Sequence, residues 1–330
     1  MFISFPRGLI ELARQVRGAL RRGSALDVFK RLSRIPMYAF SDPARLPRSD
    51  KVKFIRRHKS VLQVPFKEHH SWFVNESNSL DSFDFSDSAI TTIQIDPELR
   101  ERVLREQRSF EARQAKLTQK NKKTFLRELT DINDYPPNSP IFKLATDRQL
   151  VSKIGRYLGA DPVLWNISYM ISPPGGSEKL RGSQLWHRDG EDVRNIKVWL
   201  LLDDISENDG PTHVIGPDES EHIAEEIRYV QGVKVSDAII NIFKPKVEIL
   251  TGNLGDLKAF DSDRCFHMGS RMSSGSTRRV LMFHYVSRFC SYFWPNWISG
   301  SRQGSQRYPY PFPREEQEYL SQLLYLRSAD

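Results

Sequence analysis

The stretch "SQLWHRDGEDVRNIKVWLLLDD", residues 183–204, sets His187, Arg188 and Asp189 side by side ahead of an apolar run. A protein-kinase catalytic loop also opens on His-Arg-Asp, but it needs an asparagine with four residues between it and the aspartate. Here five residues separate Asp189 from Asn195, Arg194 fills the required slot, and the glycine-rich loop, the strand lysine motif and Asp-Phe-Gly are missing. Phosphoryl transfer of that kind is excluded. On extended backbone, residues i and i+2 point the same way, so His187 and Asp189 can offer an imidazole and a carboxylate to one point while Arg188 faces elsewhere. Two ligands do not make a site. A third candidate is His267, at the end of a strand-like run and ahead of a Gly/Ser turn in "GDLKAFDSDRCFHMGSRMSSGSTRRVLMFHYV". Two histidines and one carboxylate make a facial triad that leaves positions open on Fe(II) for a cosubstrate and oxygen.

Elements able to hold such a triad follow from the pattern of the chain. Beyond Gly159 short runs rich in β-branched and aromatic residues, "PVLWNISYMIS", "IKVWLLLD", "THVIG", "KVEILTG", "LKAF" and "RRVLMFHYV", are separated by Gly, Pro, Asp and Ser. Strands at this spacing imply a sandwich or barrel. Upstream, Asp96-Pro97 opens a long charged helix, with Asp96 as N-cap and Pro97 at the first helical position. A second helix is expected from Ser139-Pro140 to Gly159, with Ile141, Leu144, Leu150, Ile154 and Leu158 as its apolar stripe. Residues 36–94 show no clean period and read as irregular segments with a few short strands, and the tail from 301 to 330 reads as a Pro/aromatic strap with a short helix.

The chain has 330 residues, enough for one elaborated domain, with 39% hydrophobic and 27% charged residues. No run approaches the roughly 20 apolar residues of a membrane span, and the opening segment lacks the uninterrupted apolar core of a secretion signal. Two cysteines, Cys265 and Cys290, give neither a disulfide framework nor a cysteine zinc site, so a cytoplasmic, reducing setting is expected. The net charge of +8 is concentrated at the front, where Arg7, Arg14, Arg17, Arg21 and Arg22 alternate with Leu9, Ile10, Val16 and Leu20 as in a basic amphipathic helix. A helix packed on the body with a solvated basic face is favoured over a peripheral membrane or partner-docking arm. No pattern for nucleic-acid recognition is present, and no nucleic-acid partner is expected.

In order and spacing, "WHRDGED", "KVWLLLDDISENDGPTHVIGPDES", "GDLKAFDSDRCFHMGSR" and "RRVLMFHYV" resemble the phytanoyl-CoA dioxygenase family of Fe(II)- and 2-oxoglutarate-dependent oxygenases, over about residues 160–288. The resemblance implies a mainly β fold, a double-stranded β-helix (jelly-roll, cupin-like) with flanking helices. Residues 139–300 would form this core, 1–138 a basic helical and irregular region packed on it, and 301–330 the strap and helix. It implies His187, Asp189 and His267 as iron ligands, with 2-oxoglutarate and O2 as cosubstrates. It also implies an arginine about eleven residues beyond the distal histidine to hold the far carboxylate of 2-oxoglutarate, which is Arg278. A guanidinium suits that task because its planar fork binds a carboxylate through two hydrogen bonds. Strand alternation alone leaves Arg278 and Arg279 open, and the family spacing favours Arg278. Trp199, on the strand after the His-x-Asp pair, falls where the family places side chains against the cosubstrate, although a plain core tryptophan fits the pattern equally.

An intact Asp189 implies hydroxylation, since halogenating relatives carry Gly or Ala there; the expected outcome is oxidation of an aliphatic C–H in a small-molecule, acyl or natural-product substrate, with release of succinate and CO2. The basic surface permits an acidic or carrier-linked substrate. Two other readings compete: a zinc-type metal enzyme on the same barrel, and a non-catalytic binding protein that keeps the fold. Among other histidines, His284 reads as a barrel-core residue bonded to a neighbour, with a place lining the pocket as the alternative, His213 as structural, and His69-His70 as surface or loop residues. Cys265 reads as a small buried apolar residue.

Overall fold

The computed structural model describes residues 48, 50–52, 82–113, 124–175, 179–273, 275–290, 311 and 313–324. The expected basic helix at the front, His69-His70, most of 36–94 and the Pro/aromatic strap lie outside the described residues. Nine strands are described: β1 (Thr91–Ile93), β2 (Arg127–Glu128), β3 (Pro162–Ser172), β4 (Asn195–Leu201), β5 (Thr212–Ile215), β6 (Val247–Leu250), β7 (Leu257–Asp261), β8 (His267–Met268) and β9 (Arg278–Ser287). They form two antiparallel sheets, a larger one in the order β1-β7-β4-β9-β3-β2 and a smaller one in the order β6-β5-β8. The edge strands β1 and β2 come from before residue 139, so the sheet draws on the region expected to lie outside the core.

Strand alternation divides the larger sheet into two faces. Ile196, Val198 and Leu200 on β4 and Leu281, Phe283 and Tyr285 on β9 join a core that packs against helices. Trp199 and Leu201, with Val280 and Met282, face the other way and meet Val214 and Leu250 of the smaller sheet. The two sheets therefore lie face to face, and the space between them holds the residues of interest.

Described helices are α1 (Pro97–Arg113), α2 (Pro140–Ala145), α3 (Arg148–Leu158), α4 (Pro217–Glu226), α5 (Asp237–Ile240) and α6 (Gln317–Leu323). Asp96 caps α1 as expected, its carboxylate accepting from the Leu99 amide at 2.9 Å. The single helix expected from 139 to 159 is instead two. The Thr146 hydroxyl turns back to the Phe142 carbonyl at 2.9 Å, and Asp147 starts a new helix by accepting from the Leu150 amide at 2.9 Å. A side chain that competes for backbone partners and a fresh cap one residue later are enough to break the run. Gly159 ends α3 in the left-handed region, φ +65°. Beyond the smaller sheet, Trp186, Ile215, Phe266 and Met268 pack with Ile223 of α4 and Ile240 of α5. Among the described residues no helix is long and apolar enough to cross a membrane.

Candidate active site

The His187 backbone exchanges two hydrogen bonds with that of His267, at 3.0 and 2.9 Å, so residues 80 positions apart are clamped as one antiparallel pair. Their imidazoles sit with ring centroids 4.3 Å apart. Each ring turns its Nδ1 to a nearby carbonyl, His187 to Leu185 at 2.8 Å and His267 to Cys265 at 3.1 Å, which aims both Nε2 atoms at a common point. A histidine fixed through one nitrogen is the usual preparation for metal binding through the other. Asp189 completes the group: its oxygens lie 3.8 Å from each Nε2, and the ligand atoms of all three residues lie within 4.8 Å of one another.

The loop carrying Asp189 is held from several sides. Its amide donates to the Ser262 carbonyl at 2.8 Å, and Gln231 donates to its carbonyl. The turn after β7 is built by Asp261, whose carboxylate accepts from the amides of Asp263 and Arg264, each at 3.0 Å, and from the Tyr157 hydroxyl. Asp263 in turn accepts from the Asp192 amide at 2.7 Å. Arg188 faces away from the triad, as its place in the alternation requires, and bonds the Asp263 carbonyl and Glu221, both at 2.9 Å. Lys51 donates to the Gly190 carbonyl, and Arg48 to that of Val193 at 3.0 Å, so residues before β1 also brace the loop.

Electrostatics favour metal-ready protonation states. Burial, and then the neighbouring His267, keep the His187 imidazole neutral far below its ordinary range, and burial brings His267 down to about 4. Burial alone would raise the Asp189 carboxyl, but Lys197 and the two imidazoles outweigh it and hold it well below the usual carboxylate range. Lys197 is the functional residue that the sequence reading missed. It sits on β4, two positions before Trp199 and on the same face, and its ammonium bonds Asp189 directly.

Triad and Lys197 open into a cavity of about 400 Å³ between the sheets, which also takes in Trp199, Arg278, Met282 and His284. Arg278 is 3% exposed, and among the described residues its guanidinium donates only to neutral acceptors: the Gly210 carbonyl at 2.6 Å, Ser172 Oγ at 3.1 Å and Ser270 Oγ at 3.0 Å. Among the described residues its Nε has no partner, and burial, opposed by the charge of Asp209, pulls its pKa down to about 10. A buried cation without a bonded carboxylate is a costly arrangement that an incoming anion relieves. Two backbone oddities frame it. Gly210 has φ +59°, and a Cβ there would lie 2.9 Å from the Arg271 amide nitrogen, so the turn presenting its carbonyl to Arg278 excludes a side chain. Ser270 adopts φ +60°, strain of a kind that clusters at ligand sites.

Arg279 points to the opposite face. It pairs with Asp203 and with Glu111 of α1 and lines a separate cavity of about 280 Å³. Trp199 lines the cavity of the triad, with its indole N–H buried and unpartnered. His284 lines the same cavity, the alternative to the expected bonded core residue, and among the described residues its buried Nε2 has no hydrogen-bond partner. His213 is half-buried against the Pro211 carbonyl at 3.3 Å, and Cys265 is fully buried.

No family model matches the sequence, and no curated protein matches it. Solved structures are similar. EctD from S. alaskensis, in a structure with 2-oxoglutarate and 5-hydroxyectoine, aligns at a TM-score of 0.48 and 16% identity over 65% of this chain and 79% of its own. The non-heme alpha ketoglutarate dependent epimerase SnoN from nogalamycin biosynthesis aligns at 0.46 and 12%, over 60% and 78%. The carbocyclase SnoK from the same biosynthesis aligns at 0.43 and 11%, over 60% and 80%. Similarity of this extent assigns no activity, and what the chain does has to be read from its own site.

Proposed function

We propose that the protein is an Fe(II)- and 2-oxoglutarate-dependent oxygenase on a double-stranded β-helix, hydroxylating an aliphatic C–H of a small molecule with release of succinate and CO2. One observation carries this reading: the cavity that holds two neutral imidazoles and a carboxylate around one point also holds, apart from them, a buried arginine with no bonded counter-ion. The triad argues against a non-catalytic binding protein, and its two-imidazole, one-carboxylate donor set beside an anion-receiving Arg278 favours iron with a dicarboxylate cosubstrate over zinc.

His187, Asp189 and His267 would hold the metal, and the donor set of two imidazoles and one carboxylate suits ferrous iron. When bound, iron with 2-oxoglutarate and O2 supplies the oxidant that removes hydrogen from carbon. The chain's own groups do the rest. Arg278 receives the distal carboxylate of the cosubstrate through its fork, with Ser172, Ser270 and Gly210 fixing the fork's orientation. Trp199 and Met282 form the wall beside it, keeping water away and offering an indole N–H. Lys197 retains one Asp189 oxygen, leaving the other to face the metal.

Anaerobic titration with Fe(II) and 2-oxoglutarate tests the proposal through the visible metal-to-ligand charge-transfer band. Wild type should develop the band and His267→Ala should not. A protein that binds zinc but gives no band with iron and 2-oxoglutarate would return the choice to the hydrolytic class.

A further inference from the structure

Strand register places the inward side chains of the larger sheet in rungs. Arg278 pairs with Ser172 at one end; then come Val280 with Leu201 and Met170, and Met282 with Trp199 and Ser168. The next rung is His284, flanked by Lys197 on β4 and Asn166 on β3. From Arg278 to His284 is six residues of strand, about 20 Å at ~3.4 Å per residue. Arg278 and His284 thus stand at opposite ends of the cavity wall, and a five-carbon diacid anchored on Arg278 turns its other end to the triad, which leaves the His284 imidazole to whatever else fills the cavity.

On this rung two of the three groups are already engaged. Lys197 bonds Asp189, and the Asn166 amide accepts from the Ile132 N–H at 3.0 Å and donates to Ser168 Oγ at 2.8 Å. His284 is not engaged. It is 5% exposed, lines the cavity, and leaves Nε2 buried and unbonded. Leaving a buried polar group unsatisfied is costly, and at a cavity wall a bound ligand group is one way to complete the bond. Burial, with Lys197 beside it, brings its pKa to about 3, so the ring is neutral and carries one N–H donor and one lone pair. A hydroxyl or an amide can satisfy either nitrogen; a methylene chain satisfies neither. The cavity, at about 400 Å³, is at the small end of ligand pockets, ~300–1,000 Å³, and must hold the cosubstrate as well.

We infer that His284 is the specificity-determining residue of this cavity, hydrogen-bonding a hydroxyl or amide of a small hydrophilic substrate, and that an unbranched acyl chain is not the substrate. The reaction assigned to that substrate rests on the oxygenase reading, whereas the binding preference does not. The test uses the full chain loaded with Zn(II) and 2-oxoglutarate, its histidine rings labelled with ¹⁵N and the His284 signals assigned by their loss in His284→Asn. Glycerol and N-methylacetamide serve as hydroxyl and amide probes, and cyclohexane as the alkyl probe. Both polar probes should shift the His284 nitrogens and cyclohexane should not; His284→Leu should weaken glycerol binding at least tenfold, with His284→Asn in between. Circular dichroism checks that the variants fold, and should the leucine variant not fold, the asparagine variant decides alone. An equal response to cyclohexane, no response to either polar probe, or a glycerol affinity unchanged in the folded variants overturns the inference. A His284 response in a protein without the iron charge-transfer band would remove the oxygenase reading and leave this one standing.

Discussion

Replacing Arg278 by methionine should separate binding from folding. The guanidinium lies buried among three neutral acceptors and bonds no carboxylate. Its pKa of about 10, below the usual arginine range, corresponds to roughly 3 kcal/mol of unrelieved desolvation. Methionine removes that penalty and also the three hydrogen bonds, at about 1 kcal/mol each, while the Gly210 carbonyl keeps the Ser270 amide and the Ser172 and Ser270 hydroxyls keep each other. The two sums nearly cancel. Arg278→Met should therefore change the stability of the metal-free protein by no more than about 1–2 kcal/mol, against the ~3–5 kcal/mol expected when a buried ion pair is broken.

Binding of 2-oxoglutarate should respond very differently. Truncating one partner of a buried, hydrogen-bonded charge pair costs about 2–5 kcal/mol, so Kd should rise at least ~30-fold. Charge-transfer titration under argon gives Kd, and urea unfolding of the metal-free protein gives stability. Arg279→Met is the control. That side chain is 39% exposed and paired on the other face with Asp203 and Glu111, so its loss should cost about 1 kcal/mol of stability or less and leave cosubstrate affinity within twofold. Affinity that survives in Arg278→Met and collapses in Arg279→Met would refute the assignment. Unfolding of metal-free Arg278→Met by more than 3 kcal/mol would show that the guanidinium is compensated in a way this structure does not contain.

Lys197→Met should destabilise the metal-free protein by about 3–5 kcal/mol, because Asp189 stays buried without its cation. A divalent metal supplies the missing charge, so the rise in Tm on adding Zn(II) should be larger in the variant than in wild type; an equal rise would count against the pairing. Gly210→Ala places a Cβ 2.9 Å from the Arg271 amide nitrogen at φ +59°, and should cost about 1–3 kcal/mol in urea unfolding while weakening 2-oxoglutarate, since the Gly210 carbonyl steadies Arg278. His284 stays neutral down to about pH 3, whereas an unfolded imidazole titrates near 6.5. Between those values the unfolded chain holds the extra proton, so this residue subtracts stability as pH falls, by about 3 kcal/mol from pH 7 to pH 4. His284→Leu should lose that dependence, and a wild-type-to-variant difference constant from pH 7 to pH 4 would contradict it.

Much of this arrangement is legible in the sequence because the inner strands obey a strict alternation. "RRVLMFHYV" and "IKVWLLLD" read as strands, and β9 and β4 occupy them nearly to the residue. The His-x-Asp spacing works for the same reason, since it puts two ligands on one side of an extended segment. What the sequence hides is the difference between a polar residue facing water and one facing a cavity. Lys197 in "IKVWLLLD" looks like a solvent-facing position, yet it shares its face with Trp199, and exposing that face would have put the indole in water. His284, two residues from Met282, carries the same signal. The break at Thr146-Asp147 is harder to see, because the apolar stripe runs on through it and only local side-chain bonding stops the helix. The helices α4 and α5 and the two-residue strands β2 and β8 are too short for periodicity to register, although β8 carries His267.

Lys197 and Arg278 are both cations in one buried cavity, but they are balanced differently, and that difference bears on how the site works. Lys197 has its counter-ion in Asp189, so the metal end is electrically settled before any metal arrives, and its imidazoles are already neutral. Binding a cation there need not displace a proton from either ring at neutral pH. Arg278 has its geometry fixed by three neutral acceptors and its charge left open. The protein accepts a poorer free-state energy at that point, which, on the proposed reading, an anion of the right length would recover on binding. The orientation cost is already met by the fold, and the attraction for a carboxylate is diminished only by Asp209, which acts on Arg278 from a distance without bonding it among the described residues. An internal carboxylate bonded to Arg278 would stabilise the empty protein and blunt the site in equal measure.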